Sequence, residues 1–360
     1  MMNLNIIKTM LILIISDLNG IISCMEHPQP SIKCELTDFY DSADYDCFIS
    51  PVDDYLWLHI KDMNDTDVFL DIPDDSKNRI NFMTFGHNSV QFLPKDIHKY
   101  APNLEKISAF GTSIKKVSRH NFMDLKSLVE IEITDGELTD ICGTAFNDLK
   151  SLESIDLSKN EIKFLHPNLF KGTDGIKDLN LKQNSIDILH PMIFSGLSSL
   201  LTVDLSYNDI LFIDKRQFLN NRLLRTVSLA DNPLKVVEFG AFVGFFNLNV
   251  LDIGGTPCAV TIMSDVDETI KILGGYCSQI SSDDQHEIQQ KIDLYNKWLG
   301  GKYVADMCGS DDQLSYIPNI VGSQDNSSIK LHIDIQLWTL VCLILALNVN
   351  YWKTSIFNGF

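Results

Sequence analysis

A spacing of 24 residues governs this chain. Ile80, Leu104, Leu128, Leu152, Ile176, Leu200, Leu224 and Leu248 open eight successive frames, each 24 residues after the last. With the opening residue counted as place one, places four and six are apolar throughout: Met83/Phe85, Ile107/Ala109, Ile131/Ile133, Ile155/Leu157, Leu179/Leu181, Val203/Leu205, Val227/Leu229 and Leu251/Ile253. Place nine is Asn88, Asn160, Asn184, Asn208 and Asn232 in five frames, and place nineteen is Phe122, Phe146, Phe170, Phe194, Phe218 and Phe242 in six consecutive ones. A period held at several independent places defines a repeat array, in which each unit contacts only its neighbours.

Each place has a physical reason. Places four and six point to one face of a short strand, and places three, five and seven to the other. Strands of neighbouring frames then pair in parallel, and the nineteenth-place Phe closes the far side of the coil. Asn at the inward turn satisfies buried backbone groups that would otherwise cost about 1 to 3 kcal/mol each. Thr112, Gly136 and Thr256 interrupt that ladder, so looser turns are expected in the second and third frames.

These residues resemble the leucine-rich repeat family in its typical 24-residue extracellular form, and the arrangement is similar to arthropod leucine-rich immune proteins. The resemblance implies an α/β solenoid, a right-handed horseshoe with a parallel concave sheet, about eight repeats over 80–255 and a cap at each end. It also implies a receptor, adhesion or innate-immune role, with disulfides in the caps. Cys34 and Cys47 fall in an N-terminal cap over 24–79, where Tyr55 to Ile60 and Val68 to Ile72 alternate like strands. Cys258, Cys277 and Cys308 fall in a C-terminal cap over 256–310, which lacks the family's usual Cys-x-Cys pair and fourth cysteine. Cys142, in a turn of the third frame, is open to two readings: a link to a second chain, or a buried small hydrophobe. Ile288, Ile292, Tyr295 and Leu299 recur at helical spacing, which fits a docking stub or, better, a cover over the last repeat.

The two ends read as addresses. Lys8 followed by the apolar run Met10 to Ile15 has the layout of a secretory signal peptide over 1–23, with cleavage after Ser16, Gly20 or Ser23. Asn64 and Asn326 head glycosylation triplets, in keeping with an extracellular chain. After a linker over 311–330, the stretch 331–352 is mostly apolar and, at about 1.5 Å per residue, long enough to span a bilayer, leaving a short tail over 353–360. A cell-surface span is the first reading. A lipid anchor attached near Asn326 and a terminal helix of a secreted protein are the alternatives.

Place five reads Thr84, Ser108, Glu132, Asp156, Asn180, Asp204, Ser228 and Asp252, with Glu130 and Asp178 alongside, so the outward face is acidic despite Lys106, Lys159 and Lys182. Such a face favours a basic protein partner, or merely keeps the sheet soluble. Outward Phe82 and Phe110, with His87 and Tyr207 near, are candidate interface anchors unless the cap covers the two phenylalanines. A formal net charge of −19 opposes nucleic acid as a partner. His286-Glu287 lacks the second His of a zinc-protease helix, and the sequence has no phosphate-cradling glycine loop or GxSxG elbow. No enzyme, cofactor or metal is therefore expected. The expected role is protein recognition through the concave face. The alternative is a matrix or adhesion protein, or a lipid-anchored co-receptor without signalling of its own.

Overall fold

The computed structural model describes residues 31–36, 47–52, 55–61, 69–86, 89–238, 240–258 and 282–299. The segments expected to be a signal peptide and a membrane anchor, Asn64, Asn326, Cys277 and Cys308 lie outside them, as do His87 and Asn88. Among the described residues no helix is long and apolar enough to cross a membrane.

The frames wind into a parallel-sheet solenoid of about eight turns. Eight strands, from Ile80–Gly86 to Val250–Asp252, pair in parallel with each residue opposite its equivalent 24 positions on. Three cap strands extend the sheet to eleven: Glu35–Leu36, Cys47–Val52 and Tyr55–Ile60, the last two antiparallel to each other. Cys34 and Cys47, both buried, are disulfide-bonded at the cap.

Places four and six are buried from the first frame to the seventh, as the alternation requires. Opposite the sheet, the place-nineteen rings form a buried spine, with centroids 5.4 Å apart for Phe122 and Phe146, 6.2 Å for Phe146 and Phe170, 5.3 Å for Phe194 and Phe218, and 5.6 Å for Phe218 and Phe242. In these pairs each ring packs on the ring of the neighbouring frame, which makes burial cooperative along the stack.

The Asn ladder crosses frames. Asn208 Oδ1 accepts the Ile186 N–H at 3.0 Å, while Nδ2 donates to Leu181 O at 2.9 Å and Leu205 O at 3.0 Å. Asn160, Asn184 and Asn232 repeat the pattern. Each amide therefore pairs a donor and an acceptor of the preceding turn that would otherwise be buried unsatisfied. The turn containing Gly136 is tighter than expected, not looser. A Cβ there would sit 2.7 Å from Thr112 O and 3.2 Å from Asn160 Oδ1, so the frame closes because glycine permits the approach.

The helix Ser282–Leu299 does not sit over the last repeat. It runs back along the flank that follows the Asn turn, from the seventh frame to the fourth. Lys235 bonds Asp284 and Glu287, Lys291 bonds the buried Asp187 at 2.9 Å, and the buried Tyr295 donates its hydroxyl to Leu165 O at 2.6 Å. Tyr295 also packs edge-on to Phe164, with ring centroids 5.9 Å apart. Cys142 and Cys258 are both buried, and each takes part in its own disulfide within this single chain. The Cys142 sulfur is thus committed inside the molecule, which corrects both readings of it as an interchain link and as a plain buried hydrophobe.

Candidate recognition face

Register decides which side chains meet on the sheet. At place three, Phe82, Lys106, Glu130, Ser154, Asp178, Thr202, Thr226 and Val250 stand in one row across successive strands. Place five forms the next row, about 4.8 Å separating each strand from its neighbour.

The acidic character is unevenly available. Lys106 bridges Glu130 at 2.9 Å and Glu132 at 3.1 Å, and Ser108 donates to Glu132 at 3.1 Å. Burial works against the Lys106 charge, but its bonds to the two glutamates hold its pKa above the ordinary lysine value. Farther along, Asp156 accepts the Ser158 N–H at 2.8 Å, Asp204 the Ser206 N–H at 2.9 Å and Asp252 the Gly254 N–H at 2.9 Å. Asn180 does the same for Lys182 while donating to Asp156 at 2.9 Å. These side chains end the strands by taking the amide two residues on. Asp156 and Asp204 thus have a structural task beyond any ligand. Asp178 is exposed and makes no such bond among the described residues.

The aromatics separate. Phe82 lies half-buried against the cap residue Trp57, with centroids 4.7 Å apart and planes at 21°. Beside it, His59 bridges Ser50 at 3.0 Å and Thr84 at 2.6 Å, and burial, then the charge of Lys61, lowers its pKa to about 4. Phe110, by contrast, is 59% exposed. Tyr207 is 50% exposed, with the Lys182 ammonium 5.2 Å from its ring centroid. The Asp231 carboxylate beside the Tyr207 hydroxyl raises its pKa above the ordinary phenol value. Place seven is less open than alternation implies, since Thr134, Ser158, Ser206 and Ala230 are buried.

Tyr207 stands out for a reason the sequence pattern hid. Place eight is left-handed in every frame from the second to the eighth: Gly111, Asp135, Lys159, Gln183, Tyr207, Asp231 and Gly255 have φ between 53° and 69°. The chain reverses there, so the side chains stand on the rim of the sheet. Glycine and aspartate at four of these places were the legible signal, because both tolerate that conformation better than most residues. The Lys182 and Tyr207 pair was missed because its two members come from different frames. Among the described residues no cluster of three His, Cys, Asp or Glu side chains is placed to hold a metal.

The leucine rich repeat profile matches residues 126–186 and 165–210. The chain carries leucine-rich repeats. Among curated proteins none is significantly similar in sequence. Among solved structures, this leucine-rich repeat solenoid is similar to a chain in the crystal structure of the TLR13–ssRNA13 complex, at 24% identity and a TM-score of 0.47 over 49% of this chain and 25% of that one. It is also similar to the APL1 leucine-rich repeat domain, at 17% identity and a TM-score of 0.44 over 63% of this chain and 49% of that one. The matches thus span about a quarter and about half of the lengths of those two relatives. The Cys34–Cys47 disulfide fits an oxidising compartment such as the secretory pathway.

Proposed function

We propose that this leucine-rich repeat protein is a surface-tethered extracellular recognition module, which binds a basic protein ligand across the sheet face between Phe110 and Tyr207. The observation that carries the reading is Phe110: a phenylalanine 59% exposed on a rigid paired strand, where an aromatic gains free energy only by being covered. Asp178, Asp231 and Asp252 supply the acidic surround, and they favour a cationic partner through encounter rate and register. The segments 1–23 and 331–352 are assigned as signal peptide and membrane anchor, and Asn64 and Asn326 as glycosylation sites. No catalytic role is assigned.

The partner named in the TLR13 structure is a single-stranded RNA. The fold therefore does not by itself exclude nucleic acid. Only the charge argument speaks for protein over RNA, since a formal net charge of −19 must be overcome before phosphates approach.

The test is an array of purified extracellular proteins graded by isoelectric point, together with single-stranded RNA, probed with the full chain on cells. We expect binding to basic proteins that falls at least about tenfold in Phe110→Ala and weakens with salt. Phe170→Ala should instead lower stability by about 3 to 5 kcal/mol, as truncation of a buried ring does. Binding that ignores Phe110 and Asp178→Lys, or that selects RNA, overturns the proposal. Surface labelling before and after a phospholipase that cuts lipid anchors tests the tether, and signal found only in the medium refutes it.

A further inference from the structure

A second surface stands apart from the sheet face, at the C-terminal end of the repeats. Leu219 and Val243 occupy place twenty of the sixth and seventh frames, 53% exposed each, and beside them Leu223 is 48% and Phe246 97% exposed. The periodic fold supplies its own control. At place twenty, frames one to five carry Lys99, Met123, Asn147, Lys171 and Ser195, and at place twenty-three they carry no aromatic residue. The last two complete turns thus depart from a surface that is otherwise mainly polar at these places.

Charge changes with it. No aspartate or glutamate occurs from Arg216 to Ala230 or from Phe239 to Leu251, in a chain with 48 acidic residues. The charges within those stretches are arginines, and Arg222 lies over the Phe245 ring at 5.2 Å. The adjoining strand Val250–Asp252 ends the sheet and has no partner strand on its outer side among the described residues. Val250 on that strand is 46% exposed.

We infer that this lateral face is a contact surface for a second copy of the chain. Two molecules of net charge −19 repel over most of their surfaces, and along these two stretches no carboxylate stands among the described residues to oppose the approach. The four side chains expose roughly 400 Å² of apolar surface, taking about 200 Å² for a phenylalanine and about half of a roughly 150 Å² side chain for each of the others. A monomer rarely leaves a larger patch uncovered. Apposed across a two-fold axis, two such patches with their rims reach about 1,000 Å² in total, at the low end for a specific association. An area that small fits a weak, reversible dimer rather than an obligate one, with an affinity of order micromolar.

The test is sedimentation of the full chain from about 1 to 100 µM, the range that brackets such an affinity. Wild type is expected to pass from monomer to dimer with rising concentration, to run as a monomer on a denaturing non-reducing gel, and to associate more strongly in salt, which screens the like charges. Phe246→Asp and, separately, Leu223→Arg should each weaken dimerisation at least about tenfold. Their melting temperatures should be unchanged, because the side chains they replace are exposed. Phe110→Ala should leave dimerisation intact. A wild-type monomer at every concentration, whether another protein or a lipid surface covers the face, overturns the proposal, as does a dimer indifferent to both substitutions.

Discussion

Restoring the repeat consensus at the third frame should damage this protein. Gly136 occupies the place where Asn160, Asn184, Asn208 and Asn232 stand in later frames, so pattern alone recommends Gly136→Asn as a stabilising change. The geometry opposes it. The new Cβ would lie 2.7 Å from Thr112 O, a backbone atom that cannot swing aside, and 3.2 Å from Asn160 Oδ1. Thr112 O accepts the Glu137 N–H at 3.3 Å, and Asn160 Oδ1 accepts the Leu138 N–H at 3.1 Å. Moving either acceptor strains a buried hydrogen bond of the same turn. Overpacking of this kind costs about 1 to 3 kcal/mol. At about 2 to 4 °C per kcal/mol for a unit of this size, the melting temperature should fall by roughly 2 to 12 °C. Thermal unfolding followed by circular dichroism, with Gly136→Ala alongside, checks the result. The alanine variant carries the same Cβ without the amide, so it should lose a similar amount. A rise in melting temperature for Gly136→Asn would show that the ladder amide outweighs the clash, and the close-approach argument would fail.

Asn208→Ala should cost about 3 to 5 kcal/mol in equilibrium urea unfolding, since it strands the Ile186 N–H and the carbonyls of Leu181 and Leu205; a loss below about 1 kcal/mol would contradict it. Lys291→Ala removes the close partner of the buried Asp187, which among the described residues keeps Lys163 at 4.0 Å, and should cost about 3 to 5 kcal/mol or expose the helix Ser282–Leu299 to protease. Stability should also depend on acid. Burial, then the charge of His190, lowers the His166 pKa to about 4 against 6.5 in the unfolded chain. The unfolded state therefore binds more protons, and about 3 kcal/mol present above pH 6.5 should be lost as pH falls towards 4. A melting temperature that His166→Gln leaves equally acid-sensitive over that window would refute His166 as the source. Peptide mapping without reduction should find Cys142 linked within its own chain, and a Cys142 peptide joined to a second molecule would refute the intrachain assignment.

The sequence by itself determined whatever recurs at 24 residues. Inward places four and six, the phenylalanine spine and the Asn bonds to the preceding turn are all contacts between one unit and the next, so period and residue type suffice to read them. Tertiary structure decided whatever breaks the period. Phe82 and Phe110 both fall on outward places of the repeat, three and seven, yet a cap strand whose position no repeat specifies lays Trp57 over one and leaves the other open. Gly136 looks like a lapse in a ladder until the approach of Thr112 O is known. The helix Ser282–Leu299 has a legible apolar stripe, but its docking site along frames seven to four rests on partners 49 to 130 residues away. Lys235 and Asp187 carry no mark in the repeat pattern and Leu165 accepts the Tyr295 bond through its backbone carbonyl, because nothing in a nearest-neighbour array encodes what will later fold back across it.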